Sequence, residues 1–198
     1  MIHFLNNSSE KPFSVFRKKY ANALSARQDI IEAIAISSYS NEKNEVDSRF
    51  VNLKVVDGKD FIFFSNYLSP KAMQFQDHKQ ISALIHWSST NTQIRMKANI
   101  KKTSISYNNN YFASRSEKKN ALAISSSQSN FIKSYSEVEK NYIAALNSDN
   151  LKECPGYWGG YSFSPYYFEF WQGHSSRLNK REVFNKNNEN WDYYLLQP

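Results

Sequence analysis

From Pro12 the apolar positions Phe13, Phe16, Tyr20 and Ala23 recur at steps of three and four, the stripe of an amphipathic helix, and proline suits its first position. Residues 1–11 ahead of it read as a polar arm. The apolar run from Ile30 to Ile36 is short enough for a buried strand. Residues 46–56, the pair Asp57-Gly58 and residues 60–65 read as strand, tight turn and strand. Ser69-Pro70-Lys71 supplies a cap residue and a first-turn proline for a short helix through about Asp77. Residues 80–87 read as a further strand, and in 92–101 Ile94, Met96, Ala98 and Ile100 alternate with Gln93, Arg95, Lys97 and Asn99. That alternation predicts a half-buried antiparallel strand.

Between 104 and 147 the pattern turns helical, with Ser136 and Glu139 at capping-box spacing before Tyr142, Ile143 and Leu146. After the turn-rich Cys154-Pro155-Gly156, strands return at 166–172, about 181–185 and 190–196. Short, regularly spaced strands with turn signals predict a mainly β chain. The expected architecture is an antiparallel barrel with an N-terminal helix and a helical insert, one domain over residues 12–198.

Composition narrows the function classes. With 40% hydrophobic and 16% aromatic residues the chain suits a folded globule. No run of about 18 apolar residues occurs, so no membrane partner is expected. The N-terminus lacks the basic start and apolar stretch of a secretory signal, which makes the cytoplasm the expected compartment. The single cysteine, Cys154, excludes an internal disulfide and a CxxC metal pattern, so no metal is expected. A formal charge of +7 fits either a nucleic-acid surface or a pocket for phosphorylated small molecules under a basic exterior. The basic residues are scattered, and no nucleic-acid partner is expected. None of the five glycines falls in a GxGxxG or GxxxxGK[ST] pattern. Any phosphate is therefore held by side chains or by a helix N-terminus.

Three segments carry candidate chemistry. In Arg49–Lys54, strand alternation sends Arg49 and Lys54 to opposite faces, where they serve two anions or are two surface cations. At Ser65–Lys71 a strand ends and a helix opens with a hydroxyl, a proline and a lysine, a phosphate seat or an ordinary capped helix. Trp158-Gly159-Gly160, the strand Phe168–Gly173, and Arg177 and Arg181 combine aromatic walls with bidentate donors; a core strand with solvated arginines is the alternative. His86 and His174 are read as structural.

Taken in order, RFVNLK at 49–54, FFSNYLSPK at 63–71, YFASR at 111–115, WGG at 158–160, EFWQG at 169–173 and the Leu-x-Pro ending resemble the pyridoxamine 5′-phosphate oxidase family. The similarity runs from about Arg49 to Pro198, with a weaker match back to Pro12. It implies an FMN-binding split barrel, usually a homodimer with FMN at the subunit interface. The implied reaction oxidises pyridoxamine or pyridoxine 5′-phosphate to pyridoxal 5′-phosphate, with O2 as acceptor and H2O2 as product. By position, the resemblance puts Arg49, Phe64, Ser65, Lys71, Gln93, Gln128, Ser129, Trp171 and Arg181 at the flavin. Lys54, Tyr111 and Arg115 fall where the family grips the substrate phosphate, and Lys119 replaces a serine there. Arg177, the catalytic position, falls where an arginine covers the pyridine ring, with Asn179 in place of a histidine. Pro70 stands where the family commonly has arginine. These departures mark a divergent member. The alternatives are a flavin oxidase of another aromatic substrate, such as the phenazine-pathway branch, and a non-catalytic split barrel binding flavin or pyridoxal phosphate.

Overall fold

The computed structural model describes residues 1–148 and 150–198. Nine strands alternate with five α-helices: β1 (His3–Leu5), α1 (Lys11–Ser25), β2 (Ala33–Ser40), β3 (Glu45–Asp57), β4 (Asp60–Asn66), α2 (Pro70–Asp77), β5 (Gln80–Trp87), β6 (Thr92–Lys102), α3 (Ile105–Ser114), α4 (Glu117–Ser125), α5 (Tyr135–Leu146), β7 (Trp158–Gln172), β8 (Lys180–Asn187) and β9 (Asn190–Leu196). Strands run in the order β1-β3-β2-β5-β6-β7-β8-β9, and β4 pairs with both β3 and β7. The path β3-β2-β5-β6-β7-β4 therefore returns on itself as a six-stranded barrel. All pairings are antiparallel except β1 with β3.

β7 is where the barrel splits. Trp158–Phe163 pairs with β4, whereas Tyr167–Gln172 pairs with β8. The handover falls at Pro165, beside a register shift between Lys97 and Ala98. Proline has no N–H for a ladder, so a bulge accommodates it. Inward residues of the ring form the core, among them Ile34, Ile36, Leu53, Phe61, Phe63, Ile85, Ile94, Met96 and Phe163. α1 contributes Phe13, Phe16, Tyr20 and Ala23 to it, as its spacing predicts. Phe16 packs edge-on against Phe61 and tilted against Trp87, with ring centroids at 4.9 and 5.9 Å.

Four expectations shift. Ile30 adopts a left-handed φ of 47° in a turn, so the strand expected from Ile30 begins at Ala33. Within the stretch read as a polar arm, residues 3–5 pair with β3, and Ile2 is buried. The helix expected to cap at Ser136 instead starts after Ser134, whose hydroxyl accepts from the Glu137 N–H at 3.3 Å. Ser134 and Glu137 share the same S-x-x-E spacing, which is why the pattern misplaced the start. The strand expected from 166 begins at Trp158, because Trp158-Gly159-Gly160 pairs with Ser65 and its neighbours.

Phe61 lies at the centre, fully buried, with rings of Phe13, Phe16, Phe163 and Phe168 around it. Phe61→Ala leaves a cavity that this closed ring cannot collapse, and is expected to cost about 3–5 kcal/mol in urea unfolding.

Candidate functional site

β4 ends in Phe64-Ser65-Asn66 and leads into α2, which places Ser65 and Lys71 at one mouth of the barrel. Lys71 is buried, at 7% exposure. Its ammonium donates to Ser65 Oγ at 3.2 Å, Ser69 Oγ at 3.2 Å and Gln128 Oε1 at 2.9 Å. All three acceptors are neutral, and among the described residues no carboxylate pairs with it. Burial, reinforced by the nearby Arg49 charge, lowers the Lys71 pKa to about 8. A buried cation held only by neutral oxygens lacks a counter-charge, a costly arrangement. Ser69, the residue before α2, does not cap it; its hydroxyl donates to the Asn66 carbonyl at 2.8 Å.

Lys71, Ser65, Phe64 and Gln128 share one cavity of about 730 Å³ with Lys54, Tyr111, Arg115 and Lys119. Tyr111 on α3 stacks on Phe64 at 3.6 Å between centroids and 6° between planes, and Phe64 stacks in turn on Trp158 at 5.2 Å. The Arg115 guanidinium lies 4.5 Å from the Trp158 ring centroid. It donates through one nitrogen to the Lys119 carbonyl at 3.1 Å, while Nη1 is buried with no partner. Burial raises the Tyr111 pKa and lowers that of Arg115. The wall carries four cationic side chains, Lys54, Lys71, Arg115 and Lys119, and the Met1 amino group, against one carboxylate, Glu32. Lys54 donates to Glu32 Oε1 at 3.1 Å.

The remaining expected site residues lie off this wall. Arg49 turns towards α2, donating to Ser38 Oγ at 2.7 Å, Gln74 Oε1 at 2.9 Å and Asp47 Oδ2 at 2.6 Å. Gln93 pairs across strands with Trp171, and Trp171 with Arg181. The three therefore form a row on the outward face of β6, β7 and β8. Arg181 is held by the buried Glu169, which accepts from its Nε at 2.8 Å and from Arg95 Nη1 at 2.8 Å. Ser129 follows Gln128 in a loop with φ 70°. Arg177 sits exposed in the turn after β7 with φ 62°, and Asn179 Oδ1 accepts from the His174 N–H at 3.0 Å in the same turn.

Two participants lay outside the segments singled out from sequence, and two more lay inside them with no role of their own assigned. Glu32 and Gln74 gave no local signal, because only the packing of distant strands puts them against Lys54 and Arg49. Trp158 and Glu169 sat inside motifs without an evident role. The glycine after Trp158 answers to packing: a Cβ on Gly159 would meet Tyr67 Oη at 2.2 Å and Asn108 Nδ2 at 2.4 Å. Those two side chains brace the strand, with Tyr67 Oη donating to the Gly160 carbonyl at 2.9 Å and Asn108 Oδ1 accepting from the Gly160 N–H at 2.9 Å.

Fold and cavity together define a split-barrel protein with a cation-lined pocket. The chain is 32% identical over 194 residues to the pyridoxine/pyridoxamine 5′-phosphate oxidase of Colwellia psychrerythraea, covering 97% of this chain and 89% of that one. It is 34% identical to that of Ruegeria sp., covering 96% and 95%. The chain belongs to the pyridoxine/pyridoxamine 5′-phosphate oxidase family. Residues 158–198 match the sequence profile of the pyridoxine 5′-phosphate oxidase C-terminal dimerisation region. The crystal structure of PhzG from Burkholderia lata superimposes with a TM-score of 0.89 at 23% identity, covering 95% of this chain and 93% of that one. A pyridoxamine 5′-phosphate oxidase-related, FMN binding protein from Nostoc punctiforme superimposes with 0.77 at 15%, covering 96% and 100%. These two structures establish the split-barrel fold. No helix among the described residues is long and apolar enough to cross a membrane.

Lys71 titrates below its unfolded value near 10.5, so between about pH 8 and 10 the unfolded chain binds the extra proton and stability rises with pH. In the ligand-free protein this rise, on the order of 1 to 3 kcal/mol in urea unfolding, is expected to vanish in Lys71→Met.

Proposed function

We propose that this chain is an FMN-dependent oxidase of pyridoxamine and pyridoxine 5′-phosphates, working as a homodimer whose active sites are shared between subunits. The observation that carries the reading is the gathering of Lys54, Tyr111, Arg115 and Lys119 beside Ser65 and Lys71 on one cavity wall. Arg115 Nη1, buried and unpartnered, supplies a free donor for a phosphate oxygen. When bound, FMN supplies the two-electron oxidation at the vitamer's C4′ carbon, with dioxygen as acceptor and hydrogen peroxide as product.

Lys71, Ser65 and Gln128 hold the flavin's phosphate end, with the Lys71 ammonium kept charged by that anion. Arg49 braces α2 beside this seat through Gln74. Lys54, Tyr111, Arg115 and Lys119 hold the vitamer phosphate and so fix C4′ against the ring plane. Phe64, Tyr111 and Trp158 wall the pocket with stacked rings. The outward row Gln93, Trp171 and Arg181, together with Ser129, Arg177 and Asn179, meets the partner's cavity across the dimer. Support for that sharing comes from the dimerisation-region match over 158–198 and from the row's absence from its own chain's cavity. A phenazine-type substrate offers at most a singly charged carboxylate in place of a phosphate dianion, a poorer match to the Tyr111, Arg115 and Lys119 group, which disfavours that alternative.

The purified protein is expected to be yellow, and anaerobic pyridoxamine 5′-phosphate is expected to bleach its flavin bands. Retained colour with no bleaching removes the oxidase reading. Arg115→Ala is expected to raise KM for pyridoxamine 5′-phosphate by about 10- to 100-fold while flavin stays bound.

Lys71→Ala and Arg181→Ala are each expected to lose flavin and activity. Mixed and reassociated, the two variants should recover about a quarter of wild-type activity, because half the dimers then hold one intact site. A site built within one chain recovers none.

A further inference from the structure

The phosphate seat contains a carboxylate that a pure phosphate grip has no use for. Glu32 immediately precedes β2, and its backbone carbonyl accepts from the Leu53 N–H at 2.8 Å, which pins it beside Lys54. Its side chain is mostly buried on the cavity wall, and Oε1 takes the Lys54 ammonium at 3.1 Å. Oε2 accepts from the Met1 amino group at 3.2 Å. Burial raises the carboxyl's pKa, but hydrogen bonds from Lys54, its own backbone and the Met1 amino group, with the Lys54 charge, together outweigh it and hold it at about 2, so it stays charged at any working pH.

We propose that Glu32 is a specificity-determining residue that weakens the seat's preference for phosphorylated over unphosphorylated ligands. This rests on the oxidase reading above. A phosphate dianion reaching Lys54 either displaces Glu32 from the ammonium or sits beside a like charge. Both lower affinity for the dianion. A ligand with a neutral hydroxymethyl at that position suffers neither. Arg115 and Lys119 have no carboxylate partner among the described residues, so among the grip's cationic side chains the opposing charge acts at Lys54.

The test is calorimetric binding of 4′-deoxypyridoxine 5′-phosphate and of 4′-deoxypyridoxine to the flavin-loaded protein; neither ligand has an oxidisable C4′ substituent. Glu32→Gln and Glu32→Ala, each checked for wild-type melting, are expected to bind the phosphorylated ligand about tenfold tighter. Affinity for the unphosphorylated ligand should stay within about twofold, and the gain should shrink at high salt. Loss of fold lowers both affinities and cannot produce this pattern. Unchanged or weaker binding of the phosphorylated ligand, or an equal gain for both ligands, overturns the role of Glu32 alone. Failure of the wild type and both variants to bind the phosphorylated ligand overturns the oxidase reading and this inference with it.

Discussion

β4 hydrogen-bonds to β3 along one edge and to β7 along the other, and this double pairing closes the six-stranded ring. Closure buries the aromatic core around Phe61 and Phe63, and it holds the end of β4 at the barrel mouth. Phe64 and Ser65 then face the cavity, and α2 begins within reach of it with Lys71 in its first turn. Without β4 seated between its two neighbours, Trp158 on β7 and Lys54 on β3 have no reason to meet Tyr111 and Arg115. The rigidity of the site is thus the rigidity of a closed sheet, which has no free edge at this point.

The charges follow from where that closure leaves them. Lys71 is withdrawn from water and given only neutral oxygens, an arrangement that is costly until an anion arrives. Arg115 is anchored on the face of Trp158 and kept from spending all its donors on the protein. Cations presented in this way are held ready, so that binding an anion satisfies groups already in place and does not require them to be gathered. Glu32 is the exception, since it supplies Lys54 with a counter-charge in advance.

On the outer face the order is reversed: Glu169, buried, holds Arg95 and Arg181, so the arginine end of the row Gln93, Trp171 and Arg181 is already paired in the isolated chain. An outward row and an inward cavity on the same chain are what the proposed sharing of sites between two symmetric subunits would use.

Alternation in 92–101, the three-and-four spacing of α1 and the proline-opened α2 were legible because each depends only on local backbone geometry and on which side chains face water. The candidate chemistry-bearing residues could be named as well, as lysines, arginines and aromatics in short motifs. Partner choice was not. Whether Lys54 meets a phosphate or Glu32, whether Arg49 reaches the cavity or braces Gln74, and why Gly159 must lack a side chain all depend on contacts between segments tens of residues apart. The sequence by itself determined the strands, the helices and the supply of cations. Tertiary structure alone decided which cations share a wall, which are already paired, and which point outward, because ring closure and not local propensity sets the neighbours of each side chain.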